Sequence, residues 1–499
     1  MAVLETTVLV VYFAVLGVLS LYGSHRYFIA WLYYRHRSDE ARPSGVLSEL
    51  PRVTIQLPVF NEFYVVERLI NAVCNIRYPR DRFEVQVLDD STDDSVDVAR
   101  AAVDRWAGKG IDIVHIHRSD RTGFKAGALE AGQVVAKGEL VAVFDADFVP
   151  QPDFLERTVP HFHDSRVGMV QVRWDHINRR FSALTQAQSI LLDGHFVLEH
   201  TARNRSGRFF NFNGTAGIWR KDAIRDAGGW QHDTLTEDLD LSYRAQLKGW
   251  RFVYLPDVTS PAEVPVEMMA FKGQQHRWAK GSIQTARKLL VRILHSRDLP
   301  LAVRCEAFVH LTNNVAYLLM VALSLLMPFA MVIRVDHGWR EFILLDIPLF
   351  MAATISVCTF YLAAQHETRG PGFANRVLYI PMALALGIGL SINNAKAVTE
   401  ALLDVQSPFI RTPKYAVTAK GQAWRHNRYV APANFQAVLE TAMGLYFIYP
   451  EWVALQNGLW FSLPFLLLFQ FGYLYVGVSS LMQSRGRVVL RSRPVGAES

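Results

Sequence analysis

Long apolar segments at the two ends of the chain constrain its fold more than any other feature. Residues 8–34 are mostly apolar and aromatic, and apolar runs return after Lys288, whereas the middle has the mixed composition of an aqueous domain. A run of about 20 apolar residues is long enough to cross the hydrocarbon core of a bilayer. The chain of 499 residues is therefore predicted to be a membrane protein that carries one large aqueous domain.

The apolar runs predict five membrane spans, at residues 8–34, 308–332, 342–364, 435–452 and 459–480. Segment 376–403 is ambiguous, because its apolar core is short and Lys396 follows on the same helix. It fits a helix lying at the membrane interface about as well as a span. If it crossed the bilayer, the basic loop 404–433 would face outward, so an interfacial helix is preferred.

Basic residues predict which side of the membrane the aqueous domain occupies. Arg35 and Arg37 follow the first apolar run, and the loop 404–433 and the tail 485–499 are also basic. Because Lys and Arg accumulate on the cytoplasmic side, the domain is expected to be cytoplasmic, with a bacterial plasma membrane as the expected location. A cleaved signal peptide is the alternative for the first run, but its basic residues should precede the apolar stretch. The same charge bias accounts for the formal charge of +6, and no signature of nucleic-acid binding accompanies it, so no nucleic-acid partner is expected.

These observations divide the chain into five parts. The predicted parts are an N-terminal transmembrane helix (1–37), a linker (38–52), a cytoplasmic domain (53–290), a membrane region (291–484) and a basic tail (485–499).

Strands and helices alternate along the first half of the aqueous domain. Short apolar runs at 53–60, 83–90, 111–117 and 139–147 read as strands, with helical spacing between them. Such alternation predicts an α/β fold with a mostly parallel sheet, in which ligands bind at the carboxyl ends of the strands. The unit is predicted to bind a nucleotide, although the GxGxxG dinucleotide fingerprint is missing.

Acidic residues stand at the ends of two of these strands. Asp90 ends one, and Asp145 and Asp147 end another within FDAD. Residues two apart on a strand point to the same side, so Asp145 and Asp147 are expected to converge. Paired carboxylates suit Mg²⁺ or Mn²⁺ that bridges substrate phosphates. A bare DxD is more often a solvated turn, but the apolar strand before it and the separate Asp90 favour a functional site.

Two further stretches carry charged residues at helix starts. Lys125 lies in GFKAG, a glycine-flanked turn that could offer backbone N–H groups and a positive charge to a phosphate. Thr236 is expected to cap a helix that begins with Glu237 and Asp238, where the helix dipole favours acids without any catalysis. The alternative is that Asp238 is a general base in a cleft, and the sequence leaves the two readings about even.

The stretch FKGQQHRW (271–278) adds an arginine and an aromatic ring. Arg277 could stabilise a departing diphosphate, and Trp278 offers a flat face for a sugar ring. An Arg-Trp pair beside a membrane helix is equally typical of a lipid headgroup anchor.

The order of these motifs is more specific than any one of them. LPVFNE, LDDS, GFKAG, DAD, FNGT, TED and QQHRW follow one another in one aqueous domain between membrane spans. The chain thereby resembles the cellulose synthase superfamily of inverting family-2 glycosyltransferases, whose signature is D, DxD, TED and QxxRW. NFNGTAGIWR and QQHRWAKG look most like the cellulose-synthase-like mannan and glucan synthases. The resemblance implies a GT-A-like nucleotide-sugar-binding domain inserted between transmembrane helices.

The resemblance also implies residue roles. Asp238 would be the catalytic base, accompanied by Glu237, and Asp145 and Asp147 would hold a divalent metal, Mg²⁺ or Mn²⁺. The acceptor set would be Asn213, Gly214, Thr215, Gln274 and Trp278. The donor set would be Asn61, Glu62, Asp90, Lys125, Asp145, Asp147, Arg277, Thr412 and Lys414.

The basic loop resembles the gating segment of these synthases. FIRTPK (409–414) would bring Thr412 and Lys414 over the nucleotide, and YAVTAKG (415–421) is a rival match to the same pattern. Both matches require a cytoplasmic loop, in agreement with its charge.

The function implied is a membrane-bound inverting β-glycosyltransferase that polymerises a β-mannan, glucomannan or β-glucan from GDP-mannose or UDP-glucose. Its partners would be the sugar donor, the growing polysaccharide and the bilayer, with any export partner unknown. One alternative is transfer of a single sugar to a membrane lipid, as in ceramide glucosyltransferases. Another is a transporter or receptor that merely binds a nucleotide, but TED and QxxRW would then have no purpose.

Overall fold

The computed structural model describes residues 2–339, 343–368, 373–407, 411–419, 421–422 and 435–485. Part of the predicted basic loop and tail, including Lys420, Arg425, Arg428, Arg487, Arg491 and Arg493, lies outside the described residues.

Seven strands of the described chain form one sheet. They are β1 (Val53–Val59), β2 (Phe83–Asp89), β3 (Ile113–His117), β4 (Leu140–Val143), β5 (Val167–His176), β6 (Gly217–Arg220) and β7 (Arg251–Ala262). Their order across the sheet is β3-β2-β1-β4-β6-β5-β7.

The sheet is mostly parallel, which confirms the predicted α/β class. β1 pairs in parallel with β2 and β4, and β2 pairs in parallel with β3. β6 is antiparallel to both β4 and β5, whereas β7 is parallel to β5. Because β6 is antiparallel to both of its neighbours, β5 runs in the same direction as β4 and β1, and β7 runs in that direction too. The carboxyl ends of all strands except β6 therefore lie at one edge of the sheet.

The central strands are buried because helices cover both faces of the sheet. All residues of β2 and β4 are buried, as is typical of strands packed on both sides. The helices of this domain are α2 (Val66–Cys74), α3 (Ser95–Ala107), α4 (Phe124–Val135), α5 (Phe154–Thr158), α6 (Ala183–Asp193), α7 (His200–Arg205), α8 (Lys221–Asp226) and α9 (Glu237–Leu247). A π-helical turn, Gly194–Glu199, joins α6 to α7.

Further helices, several of them long and apolar, flank this domain in the sequence. They are α1 (Ala2–His36), α10 (Met268–His295), α11 (Leu301–Thr312), α12 (Ala316–Asp336), α13 (Ile343–Glu367), α14 (Phe373–Val377), α15 (Ile380–Gly389), α16 (Ser391–Leu402), α17 (Gln436–Tyr446), α18 (Ile448–Gln456) and α19 (Leu463–Arg485). Of these, α10 connects the sheet domain to the helices that follow it.

Four stretches of the described residues are long and apolar enough to cross a membrane. They are Val3–His36, Leu301–Asp336, Pro348–Glu367 and Leu463–Gln483, and they overlap four of the five predicted spans. The other predicted span, 435–452, consists of two shorter helices, α17 and α18. The ambiguous segment 376–403 belongs to a pair of helices bent by 42° at Leu390, a geometry that fits a broken span or a re-entrant loop.

Glycines bring two of the apolar helices into close contact. A Cβ at Gly389 of α15 would overlap the carbonyl oxygen of Gly472 on α19 and lie 2.6 Å from Val476. Gly387, on the same helix, has nothing within 4 Å of the corresponding point. Small residues allow such backbone approach where helices pack in a membrane.

We therefore expect Gly389→Ala to lower the thermal unfolding midpoint of the detergent-solubilised protein, because α15 and α19 must move apart. Gly387→Ala is the matched control and should be neutral or stabilising by up to about 1 kcal/mol, since alanine favours helix. Equal midpoints for the two variants in a thermal unfolding assay would contradict the close-packing account.

Candidate active site

One cavity at the carboxyl edge of the sheet gathers most of the predicted site residues. It is lined by all of them except Asn61 and Thr215. The predicted residues on its wall are Glu62, Asp90, Lys125, Asp145, Asp147, Asn213, Gly214, Glu237, Asp238, Gln274, Arg277, Trp278, Thr412 and Lys414.

The DxD acids lie in a turn rather than on a strand. β4 ends at Val143, so the expectation that Asp145 and Asp147 converge by strand alternation was wrong. They converge because each meets a lysine in the same cavity. Asp145 accepts from Lys125 Nζ at 2.5 Å, and Asp147 accepts from Lys414 Nζ at 2.5 Å. Burial raises the pKa of Asp145, although the charge of Lys125 opposes the shift.

The two carboxylates fit a divalent ion that is shared with a diphosphate. No group of three or more His, Cys, Asp or Glu side chains able to hold a metal occurs among the described residues. Mg²⁺ is commonly bound by one or two carboxylates, with substrate phosphates completing its shell. The donor set here matches that pattern and would not hold a metal by protein ligands alone.

Lys125 lies in the first turn of α4 and lies between the DxD turn and the start of α9 in the cavity. Its Nζ donates to Asp145 and, at 2.9 Å, to the Gly214 carbonyl, and it lies 4.0 Å from Glu237. Burial alone would lower its pKa, but the attraction of Asp145 and Glu237 outweighs burial and raises the pKa. Lys125 therefore stays positively charged between two groups of acids, where a diphosphate could also be bound.

Asp238 lies in the first turn of α9 and faces the same space. Gly214 has a φ of +78°, and a Cβ there would come within 3.0 Å of Asp238 Oδ2. Burial raises the pKa of Asp238 to about 7, and the neighbouring charge of Glu237 adds to the shift. A carboxylate that gains and loses a proton near neutral pH is suited to general-base catalysis.

Thr236 does not cap α9 as expected. Its side chain makes no capping hydrogen bond, and its Oγ1 is buried without a hydrogen-bond partner. Gly281 of α10 lies against this side chain, because a Cβ there would be 2.5 Å from Thr236 Oγ1. Packing against α10 has thus replaced the local capping geometry.

Thr215 acts behind the cavity wall rather than on it. It is fully buried, and its Oγ1 accepts a 2.9 Å hydrogen bond from the Asp145 backbone N–H. The FNGT motif is thereby tied to the DxD turn.

Asn61 is also displaced from the cavity. Its Oδ1 accepts from the Thr92 N–H at 2.8 Å, so it links two loops beside the site.

Asp90 lines the cavity and is held by Arg118 through hydrogen bonds of 2.6 and 2.8 Å.

Helix α10 supplies Gln274, Arg277 and Trp278 from one surface. Arg277 donates to Thr412 Oγ1 at 2.7 Å, and burial lowers the pKa of Arg277 to about 10, so it remains charged at neutral pH. The stretch QQHRW thus contributes to the cavity wall, which the anchor interpretation does not require.

The segment 411–415, here called the strap, contributes Arg411, Thr412 and Lys414 to the cavity wall. Lys414 binds Asp147 and, at 2.9 Å, the Glu263 carbonyl, and Arg411 lies 3.1 Å from Glu62. Burial raises the pKa of Glu62 to about 8, against the attraction of Arg411. Of the two rival matches, FIRTPK contributes Thr412 and Lys414 to the cavity, whereas Thr418 of YAVTAKG is exposed and hydrogen-bonds Gln422.

Several cavity residues were missed from the sequence, including Arg121, Arg411, His176 and Glu263. His176 ends β5 and Glu263 follows β7, so both stand at the edge that the strand-end rule had already selected. The signal was available, but these two strands had not been recognised. Arg411 lies next to the matched Thr412, and its pairing with Glu62 has no local signal.

Comparison with known proteins relates this site to sugar transfer. A family model described as "Glycosyltransferase like family 2" matches residues 51–281. Glucomannan 4-beta-mannosyltransferase 1 of Oryza sativa subsp. japonica is 45% identical over 271 residues, covering 53% of this chain and 52% of that protein. Glucomannan 4-beta-mannosyltransferase 2 of Arabidopsis thaliana is 44% identical over 255 residues, covering 50% and 48%. The chain thus spans about half the length of the curated relatives it matches.

A solved structure is also similar. The mannosyltransferase PcManGT from Pyrobaculum calidifontis, in complex with GDP-Man and Mn²⁺, aligns with a TM-score of 0.49 and 22% identity. The alignment covers 78% of this chain and 100% of that one.

The ion pair between Lys414 and Asp147 should hold the strap closed. We expect Lys414→Met to increase amide hydrogen exchange of residues 411–419 by about tenfold or more, because Asp147 loses its charged partner in a buried setting. Lys396→Met is the control, since the Lys396 side chain is 59% exposed and its Nζ lies 3.9 Å from the Glu400 carboxylate. Unchanged exchange in Lys414→Met would show that other contacts hold the strap.

Proposed function

We propose that this chain, whose residues 51–281 form a family-2 glycosyltransferase domain, is a membrane-bound inverting enzyme that extends a β-linked mannan or glucomannan. The observation that carries the proposal is the position of Asp238 beside Gly214 and Lys125, in one cavity with Asp145 and Asp147. The names of the relatives favour mannose as the transferred sugar. GDP-mannose is therefore the proposed donor, and UDP-glucose is the second choice.

The donor end of the cavity would neutralise the leaving diphosphate. A divalent ion bound by Asp145 and Asp147 with the phosphates would offset negative charge as the sugar departs. Lys125, Arg277 and Lys414 bring three further positive charges to the same region. Fixed charges in a site shielded from water stabilise developing negative charge more strongly than solvent does. Asp90 and Glu62 would contact the nucleotide.

The acceptor end would supply the base. Asp238 would remove the proton from the acceptor hydroxyl, which then attacks the anomeric carbon from the face opposite the diphosphate. An α-linked donor would give a β-linked product in this single displacement. Trp278 and Gln274, from α10, would support the acceptor sugar on the far side of Asp238.

The membrane helices would adjoin the acceptor end. α10 carries Trp278 to the cavity and packs on α11 and α16. We propose that the domain lies on the cytoplasmic side and that the polymer leaves along these helices. The curated relatives reported above are plant proteins, so they give no support to the bacterial membrane expected from the sequence.

The proposal is tested by nucleotide release from GDP-mannose, UDP-glucose and UDP-N-acetylglucosamine with the purified full chain, and by product length from a radiolabelled donor. Asp238→Asn should lower the transfer rate by about 10²–10⁴, because no carboxylate takes the acceptor proton, while donor binding stays within about twofold. Asp222→Asn, at an exposed site on α8, is the control and should retain full activity. Normal turnover by Asp238→Asn would refute the assignment of the base, and single-sugar lipid products would favour the alternative function.

The pH dependence should report the same residue. Transfer needs ionised Asp238, so kcat/KM should rise with pH and level off above about pH 7, the pKa of this carboxyl. Glu237→Gln removes a negative charge beside Asp238, so the rise of kcat/KM with pH, here called the acidic limb, should move to lower pH. Glu156→Gln on the surface should leave the acidic limb unchanged. If the acidic limb of the Glu237→Gln enzyme lies at the wild-type pH, a group other than Asp238 controls the pH dependence of kcat/KM.

A further inference from the structure

A chain of four side chains runs beside the acceptor end of the cavity. His195 Nδ1 lies 2.9 Å from Glu199 Oε2, and His195 Nε2 lies 3.1 Å from Asn213 Nδ2. On the other side of the amide, His200 Nε2 lies 2.5 Å from Asn213 Oδ1. Both ends of one amide are therefore held by histidines.

With His195 as the neutral ring, the chemistry of these groups sets the direction of every hydrogen bond. A carboxylate only accepts, so His195 donates from Nδ1 to Glu199, and its unprotonated Nε2 accepts from the Asn213 N–H. His200 then donates from Nε2 to the Asn213 carbonyl oxygen. The flipped amide would set the Asn213 oxygen against the bare His195 Nε2, with no proton between them. Glu199 thus determines the orientation of Asn213 through His195.

The surroundings of Glu199 and His200 favour the protonation states that this pattern needs of these two groups. Glu199 is buried, but Arg203 at 3.3 Å, His195 and Arg26 at 3.9 Å hold its pKa well below the usual range. His200 is fully buried against Phe196, Phe210 and Tyr254, and burial keeps its pKa well below the usual range, so it stays neutral.

A π-helical turn explains why one helix can present all three partners. The turn Gly194–Glu199 leads directly into α7, and i→i+5 bonding brings residues five apart towards the same side. His195 and His200 ring centroids are consequently 4.3 Å apart. A Cβ at Gly194 would lie 2.6 Å from Phe360 and 2.7 Å from Tyr361, so the turn is pressed against α13.

The Asn213 amide has two N–H groups, and only one of them takes part in the hydrogen bonds among these four side chains. Asn213 lines the cavity next to Gly214, which lies beside the Asp238 carboxylate. We propose that His195, anchored by Glu199, is a positioning residue that orients Asn213 so that its second N–H donates to the acceptor sugar. This inference rests on the proposed function, because it assigns the sugar on that side of Asp238 as the acceptor.

The test uses the purified full chain, GDP-mannose as donor and β-1,4-linked mannotetraose as acceptor. His195→Phe keeps a ring but cannot accept from Asn213, so the acceptor KM should rise by about tenfold, the loss expected for one hydrogen bond. His195→Gln can accept with Oε1 near the position of Nε2 and should restore the acceptor KM to within about threefold of the wild-type value. The donor KM and the acceptor-independent hydrolysis of GDP-mannose should stay unchanged in both variants.

His161→Phe is the matched control, because His161 is a buried histidine that does not line the cavity. It should leave the acceptor KM unchanged. Equal acceptor KM values for His195→Phe and wild type would overturn the positioning role, and so would a parallel loss of donor hydrolysis in His195→Phe. Wild-type protein that releases no guanosine diphosphate would overturn the proposed function and this inference together.

Discussion

Lys125 and Lys414 approach the Asp145–Asp147 turn from opposite sides, one from the helix after β3 and the other from the strap. Each lies 2.5 Å from one carboxylate. Acids collected at a sheet edge repel one another, and burial strengthens the repulsion unless cations are brought in. Lys125 also donates to the Gly214 carbonyl and Lys414 to the Glu263 carbonyl, so the two cations tie α4 and the strap to the same cavity wall. The same cations suit a diphosphate, so the requirement of the fold and that of the proposed chemistry coincide.

Helix α10 extends this arrangement from the sheet domain to the helices that follow it in the sequence. Its Arg277 and Trp278 line the cavity, while Lys272 forms a fully buried pair with Glu440 of α17 at 2.7 Å. Lys280 and His276 both lie 3.0 Å from Glu400 of α16. A buried ion pair needs close geometry to offset the loss of hydration, so these contacts restrict how α10 can shift or rotate. The cavity wall is thereby fixed relative to α16 and α17.

The sequence predicted the sheet class from the alternation of strands and helices. The predicted site residues came from motifs and from the family resemblance, and most of them line the cavity. The strand-end rule selected Asp90, Asp145 and Asp147, and it would also have selected Glu263 had β7 been recognised. It failed in local detail at Asp145 and Asp147, which lie in a turn because β4 stops at Val143. Thr236 departs from its expected capping role because its side chain packs against Gly281 of α10, 45 positions away. Contacts between segments so distant in sequence leave no local pattern.

Asn213 illustrates the same limit at the level of one side chain. Its place in FNGT marked it for the acceptor end, but nothing in that motif determines which way its amide points. The direction depends on Glu199, through a histidine presented by a π-helical turn, and that turn depends on Gly194 fitting against Phe360 and Tyr361. The orientation of a side chain beside the proposed base thus rests on packing against α13, which contains a stretch long and apolar enough to cross a membrane. Residues that align a substrate can therefore be found in the sequence more readily than the contacts that orient them.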